Sequence, residues 1–160
     1  MRVLAGIRTA VYMTGFVLLW GWLALNVRQF DPAIAVTLPK WVEPLGLAVI
    51  AAGGALALTC GYFFARHGRG TPAPFDAPRE FVAVGPYRYV RNPMYIGGAL
   101  LLGGFGLAER SVSILILMLV ALGLAHLFVV LVEEPGLEWK FGDSFRIYKR
   151  SVRRWLPRLP

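Results

Sequence analysis

Four stretches of the chain carry no charged side chain: Thr9 to Val27, Pro44 to Ala65, Asn92 to Ala108 and Ser111 to Val132, of 19, 22, 17 and 22 residues. Arginines, lysines and acids gather in the segments between and beyond them. A helix rises about 1.5 Å per residue and the bilayer hydrocarbon is roughly 30 Å thick, so each stretch reads as a membrane span, the third only just. Helices satisfy their own backbone polar groups, as lipid requires. A transmembrane barrel is excluded, because runs such as Ile114 to Val120 lack a polar residue at every second position. Only the neighbourhood of Ala108 to Arg110 joins the last two spans. That predicts a tight antiparallel hairpin with Arg91 and Glu133 on one side of the membrane.

Beyond the fourth span, Leu137, Phe141, Phe145, Tyr148, Val152 and Trp155 recur at steps of three or four, with basic residues mostly between them. This predicts an amphipathic C-terminal helix suited to the interface. The expected fold is all-α: one integral membrane domain over 1–160 with four transmembrane helices. Its first two spans fall in 1–65, a cytoplasmic loop in 66–93, the helical hairpin in 94–132 and a cytoplasmic C-terminal segment in 133–160.

Composition agrees: 57% of residues are hydrophobic and only 16% charged, so lipid rather than water is the expected solvent. Charge then orients the chain. With the amino terminus inside, Arg2, Arg8, Arg66, Arg69, Arg79, Arg88, Arg91 and the seven basic residues from Lys140 to Arg158 face the cytoplasm. Arg28, Lys40 and Arg110 stay outside, a split of 14 against 3 among 17. Both termini are therefore expected in the cytoplasm, and the size and basic loops suit a bacterial inner membrane. Anionic lipid accounts for the net charge of +8 without a nucleic-acid partner. The single cysteine, Cys60, permits neither a disulfide nor a sulfur-ligated metal centre. The segment with Pro32, Pro39, Trp41 and Pro44 reads as a short external loop without visible function.

Candidate chemistry lies at the cytoplasmic boundary. Asn92 followed by Pro93 is a favoured helix start, an N-cap and a first helical residue. With Arg91 beside it, such a start offers backbone donors and positive charge to a small anion such as a carboxylate. Glu133 and Glu134 sit where the fourth span ends, opposed by the helix dipole, so some compensation is expected: they read as a solvated interfacial pair, bridged to Arg91 or Arg88, as a lead into a new helix beginning at Pro135, or as functional groups. His126 lies within the fourth span and reads as a neutral histidine bonded to a neighbouring helix. Gly103, Gly104 and Gly106 read as close-packing positions; Gly97 and Gly98 are open to either packing or ligand contact.

The block from Gly85-Pro86-Tyr87-Arg88 through Arg91-Asn92-Pro93-Met94-Tyr95-Ile96-Gly97, then an apolar hairpin, Glu133-Glu134, Phe141-Gly142, Tyr148 and Val152 to Pro157, resembles the isoprenylcysteine carboxyl methyltransferase and phospholipid N-methyltransferase superfamily. The match covers about the C-terminal half. It implies an S-adenosylmethionine site at the cytoplasmic boundary, contacted by Tyr87, Arg91, Asn92, Pro93, Tyr95, Gly97, Gly98, Glu133, Glu134 and Tyr148. The chain departs from the family at Asn92, where histidine is usual, and at Phe145, where tyrosine is common. Asparagine hydrogen-bonds but cannot act as a base near neutral pH.

The chemistry suits these residue types. The cofactor carries a carboxylate, an ammonium, a diol, an adenine and a sulfonium, so its site needs positive, negative and aromatic groups and no metal. Arg91 with the helix start suits the carboxylate, a glutamate the ammonium or diol, and Tyr95 or Tyr148 the sulfonium or adenine. Arg91, Glu133 and Glu134 are the catalytic candidates: Arg91 to orient a carboxylate nucleophile, a glutamate as base for an amine or thiol. The expected partners are membrane lipids and a lipophilic or small-molecule methyl acceptor. Two rivals carry different predictions: a sterol-reductase-like oxidoreductase using reduced nicotinamide, and a non-catalytic scaffold gripping anionic lipid.

Overall fold

The computed structural model describes residues 2–68 and 81–157, with side chains from Ile7 onward. Arg69, Arg79 and Arg158, placed in the cytoplasm by the charge argument, lie outside the described residues. Helix α1 (Arg2–Val27) passes through a 3-10 turn at Arg28–Phe30 into a one-turn α2 (Asp31–Ile34). Helix α3 (Val42–Phe63) runs on through a π-helical segment, Phe64–Gly68. A 3-10 turn at Gly85–Arg88 precedes α4 (Pro93–Ala108). Helix α5 (Val112–Phe128) continues through a second π segment, Val129–Glu133, into α6 (Glu134–Phe141), and α7 (Asp143–Ser151) follows. Among the described residues there is no strand, only one isolated parallel bridge between Val90 and Arg153.

Three helical stretches, Ile7–Ile34, Val42–His67 and Val112–Phe141, are long and apolar enough to cross a membrane. The expectation of four spans meets a difference at α4, which is apolar but has 16 residues. At about 1.5 Å per residue it reaches about 24 Å, short of the hydrocarbon thickness. Glycines bring it onto α3. A side chain at Gly53 would sit 2.8 Å from the Gly97 carbonyl and the Leu101 amide, and one at Gly104 would sit 2.7 Å from the Ile50 amide. Lipid gives helices no hydrophobic reason to associate, so close backbone contact of this kind supplies the packing energy. On α5 the contacts are with side chains: an added carbon at Gly106 would meet Leu115 at 2.8 Å, and one at Gly103 would meet Met118 at an ordinary 3.6 Å.

The end of the bundle away from Arg91 is tied by polar contacts. Arg110 turns the chain with a φ of 54°, and the Ser111 side chain caps α5 by accepting from the Ile114 amide at 3.2 Å. The Ser113 amide donates to Asp31 at 2.8 Å, Arg110 Nε to the Leu38 carbonyl at 2.8 Å, and Arg28 pairs with Glu109. The loop after α1 thus anchors the hairpin turn.

At the other end the helix of α5 does not stop at Val132 but runs to Phe141, breaking at Gly142, whose φ of 53° favours glycine. The expected amphipathic helix is therefore divided between α6 and α7. Its apolar face is also turned elsewhere: Phe145 and Tyr148 are buried against Phe81, not laid on a lipid surface.

Candidate functional site

The start of α4 is built by the far end of the chain. The Arg91 amide donates to the Arg153 carbonyl at 2.9 Å and the Asn92 amide to the Arg154 carbonyl at 3.3 Å, so residues 153 and 154 lie alongside 90–92. Pro93 is the first helical residue and fully buried. Asn92 occupies the N-cap position, but its side chain makes no capping bond, contrary to the local expectation. Its amide nitrogen donates instead to the Arg154 carbonyl at 3.4 Å.

Arg91 is drawn inward by Glu134: Nη2 donates to the carboxylate at 2.9 Å, with both side chains less than a tenth exposed. Its Nη1 donates to the Lys149 carbonyl at 3.0 Å, while Nε is buried without a partner. Burial pulls the guanidinium below its ordinary value, against the opposing charge of Glu134; arginine stays charged regardless. Arg154 grips the same carboxylate with two prongs, Nε at 2.8 Å and Nη2 at 3.0 Å, and Lys149 stands at 3.7 Å. Arg88 is not the partner.

The uncharged run that hydrocarbon can hold ends at Val132, so Glu133 and Glu134 lie beyond the spanning segment. Consecutive helical residues point about 100° apart, and the π segment that ends at Glu133 resets the register of α6 relative to α5. The two carboxylates therefore meet opposite surroundings. Glu133 accepts from the Tyr95 hydroxyl at 2.9 Å. Burial and the Glu134 charge hold its carboxyl above the ordinary value, with the Tyr95 bond opposing. Burial also pushes Glu134 up, but the Arg154 bond and the charges of Arg91, Arg154 and Lys149 outweigh it and hold that carboxyl below the ordinary value.

A cavity of about 320 Å³ opens beside this pair. It is lined by Tyr87, Arg91, Asn92, Glu133, Glu134 and Tyr148 among the expected residues, and by Phe64, Phe81, Phe128 and Phe145. Its volume falls in the roughly 300–1,000 Å³ range of small-molecule sites, and its apolar wall with a few convergent polar groups is their usual character. Both π segments contribute, Phe64 from the first and Val129, Val132 and Glu133 from the second. Burial raises the Tyr87 and Tyr148 hydroxyls, so both remain protonated, and Tyr148 donates to the Tyr87 carbonyl at 2.6 Å. A second, more polar cleft of about 430 Å³ lies across Glu134, walled by Glu138, Arg146, Lys149 and Arg154.

Four expected residues do not line the aromatic cavity. Tyr95 reaches it through Glu133, and Pro93 is buried as the first residue of α4. Gly97 faces α3, where an added side chain would meet Ala57 and Gly53 at 3.1 Å, and Gly98 faces Phe16 of α1. His126 accepts at Nδ1 from the Trp155 indole at 3.0 Å, so its partner is the C-terminal segment rather than a neighbouring helix. Sequence reasoning gave no role to Arg154, Lys149 or Phe81. Arg154 stood in the motif block, but nothing local separates it from Arg153.

A family model described as phospholipid methyltransferase matches residues 42–144. Phosphatidylethanolamine N-methyltransferases of Paracoccidioides brasiliensis and Paracoccidioides lutzii are each 27% identical over 141 residues, which is 86% of this chain and 13% of theirs. The chain thus spans about an eighth of the length of these curated relatives. An uncharacterized protein of Haemophilus influenzae is 45% identical over 53 residues, covering 33% of this chain and 75% of that protein. No solved structure gives a significant match.

Proposed function

Since the chain belongs to the phospholipid methyltransferase family, we propose that it transfers a methyl group from S-adenosylmethionine to a lipophilic or small-molecule acceptor at the cytoplasmic membrane boundary, with α4 as a fourth, short crossing. The observation that carries this reading is the aromatic cavity, into whose wall Arg91 and Glu133 bring opposite charges. Arg91 keeps a buried N–H without a partner, a cost of about 1–3 kcal/mol unless something accepts from it. A ligand carboxylate is an acceptor of the right charge, and the first turn of α4 adds its dipole. The rings of Tyr87, Tyr148, Phe81 and Phe64 suit an adenine face and a sulfonium cation. When bound, the cofactor supplies a sulfonium-activated methyl group.

The two glutamates divide the remaining work. Glu134 is spent on three cations and serves to hold Arg91. Glu133, bonded to a tyrosine hydroxyl and lining the cavity, is the carboxylate free to receive a cation or a proton. The names of the fungal relatives make an amine the first acceptor to try. An amine arrives protonated and must lose a proton before it attacks, a task that suits Glu133, held above its ordinary value, better than Glu134. Carboxylate and thiol acceptors share the same cofactor arrangement.

The test is calorimetric binding of S-adenosylhomocysteine to the protein in nanodiscs, with reduced nicotinamide cofactor as comparison, followed by transfer of labelled methyl to aminophospholipid, prenylcysteine and thiol acceptors. Saturable binding by the wild type, lost in Arg91→Ala, is the expected result. Glu133→Gln should keep binding within about tenfold while lowering turnover by about 10²–10⁴. Binding of the nicotinamide alone, or wild-type turnover by Arg91→Ala, would overturn the reading.

A further inference from the structure

Residues 153–155, just after α7, make a set of contacts that the roles above leave unused. Arg154 touches both halves of the site at once. Its guanidinium holds Glu134 with two bonds of 2.8 and 3.0 Å, and its own carbonyl accepts from the backbone and side-chain nitrogens of Asn92 at 3.3 and 3.4 Å. One residue earlier, the Arg153 carbonyl accepts from the Arg91 amide at 2.9 Å. One residue later, Trp155 donates to His126 at 3.0 Å and lies edge-on to Tyr95, with ring centres 6.3 Å apart. His126 stands about two helical turns before Glu133 on α5. Three consecutive residues therefore bridge the loop before α4, the glutamate pair and the body of α5.

The bridge meets a need of the site. Residues 91 and 92 lie just before α4, outside any regular element, so no helix or sheet ladder provides acceptors for their amides. The Arg153 and Arg154 carbonyls supply them. The Arg154 pair differs from an ordinary surface ion pair, because it is two-pronged and its carboxylate is only 8% exposed.

We propose that Arg154 is a positioning residue and that residues 153–155 form a clasp, anchored by Trp155 on His126, that fixes Arg91 and Asn92 relative to Glu133 and Glu134 in the geometry the ligand needs. The methyltransferase reading enters only in naming S-adenosylhomocysteine as the probe. In this role Arg154 acts through the residues it holds.

The experiment uses full-length protein in nanodiscs and two readouts: amide hydrogen exchange at Arg91 and Asn92, and the Kd for S-adenosylhomocysteine. Arg154→Ala should speed exchange at both amides at least about tenfold and weaken binding about 10- to 100-fold. Arg154→Lys should rescue little of either, since an ammonium cannot make the forked bond. Trp155→Phe keeps an aromatic ring but loses the donor to His126, and should give a smaller change in the same direction, which tests the clasp even if the alanine variant fails to fold. Unchanged exchange at Arg91 and Asn92 in the Arg154 and Trp155 variants would overturn the clasp whatever the cofactor does. Faster exchange with unchanged Kd would overturn the positioning role and leave a structural tie. If the wild type binds no S-adenosylhomocysteine, the methyltransferase reading fails, and exchange alone then decides the clasp.

Discussion

Replacing Glu134 by glutamine removes one charge and almost no volume, which makes it the sharpest probe of the cation cluster. The carboxylate takes Arg91 at 2.9 Å and Arg154 at 2.8 and 3.0 Å, with Lys149 at 3.7 Å. Lys149 is 40% exposed, so its share is screened to nearly nothing. Arg154 is 27% exposed and keeps partial access to water. The cost therefore falls on Arg91, whose side chain is 9% exposed and whose carboxylate partner is Glu134. Leaving a buried charge without its partner costs about 3–5 kcal/mol. The glutamine oxygen still accepts one hydrogen bond, recovering about 1 kcal/mol, so the expected loss is about 2–4 kcal/mol. The pH dependence has a definite sign. Glu134 is held below its ordinary value of 4.5, so its contribution is full above that value and disappears as pH falls through the folded-state value. Denaturant unfolding in detergent from pH 7 to well below pH 4.5 should show the wild type losing stability towards acid and Glu134→Gln starting lower and changing less. Equal stability of the two proteins at pH 7, within about 0.5 kcal/mol, would refute the assignment of Glu134 as the anchor of Arg91.

Two other contacts carry outcomes of their own. Tyr95→Phe keeps the ring and removes the donor that opposes the rise of Glu133, so the acid limb of a pH–rate profile for amine methylation should move to higher pH; a shift to lower pH would contradict the Tyr95–Glu133 bond. Gly53→Ala drives a methyl group into the backbone of α4 at Gly97 and Leu101 and should cost about 1–3 kcal/mol in thermal unfolding. Gly15→Ala, with open space around it, should cost nothing, and equal effects from both would deny the close approach of α3 and α4.

What the sequence made legible was whatever is written in one dimension. Runs without charge announce helices because hydrocarbon tolerates no unpaired charge, and the order of Arg91, Tyr95, Glu133, Glu134 and Tyr148 named candidate positions, of which Arg91, Glu133, Glu134 and Tyr148 line one cavity. What it hid was direction. The face of Phe145 and Tyr148 has the period of a helix meeting something apolar, and that period is the same whether the something is lipid or Phe81. Gly97 and Gly98 share a residue type and a motif with ligand-binding positions, yet face α3 and α1.

The glutamate pair shows the limit most sharply, because two identical neighbours differ only in the helical register between them. No local signal marks the π segment that sets this register, and the contacts that distinguish the two carboxylates come from distant parts of the chain: Tyr95 on one, Arg91 and Arg154 on the other. Arg154 reaches its glutamate across 20 residues and Asn92 across 62. The asymmetry at this boundary is therefore a property of the closed chain: one glutamate is paired with Arg91, Arg154 and Lys149, while its neighbour accepts from the Tyr95 hydroxyl and lines the aromatic cavity.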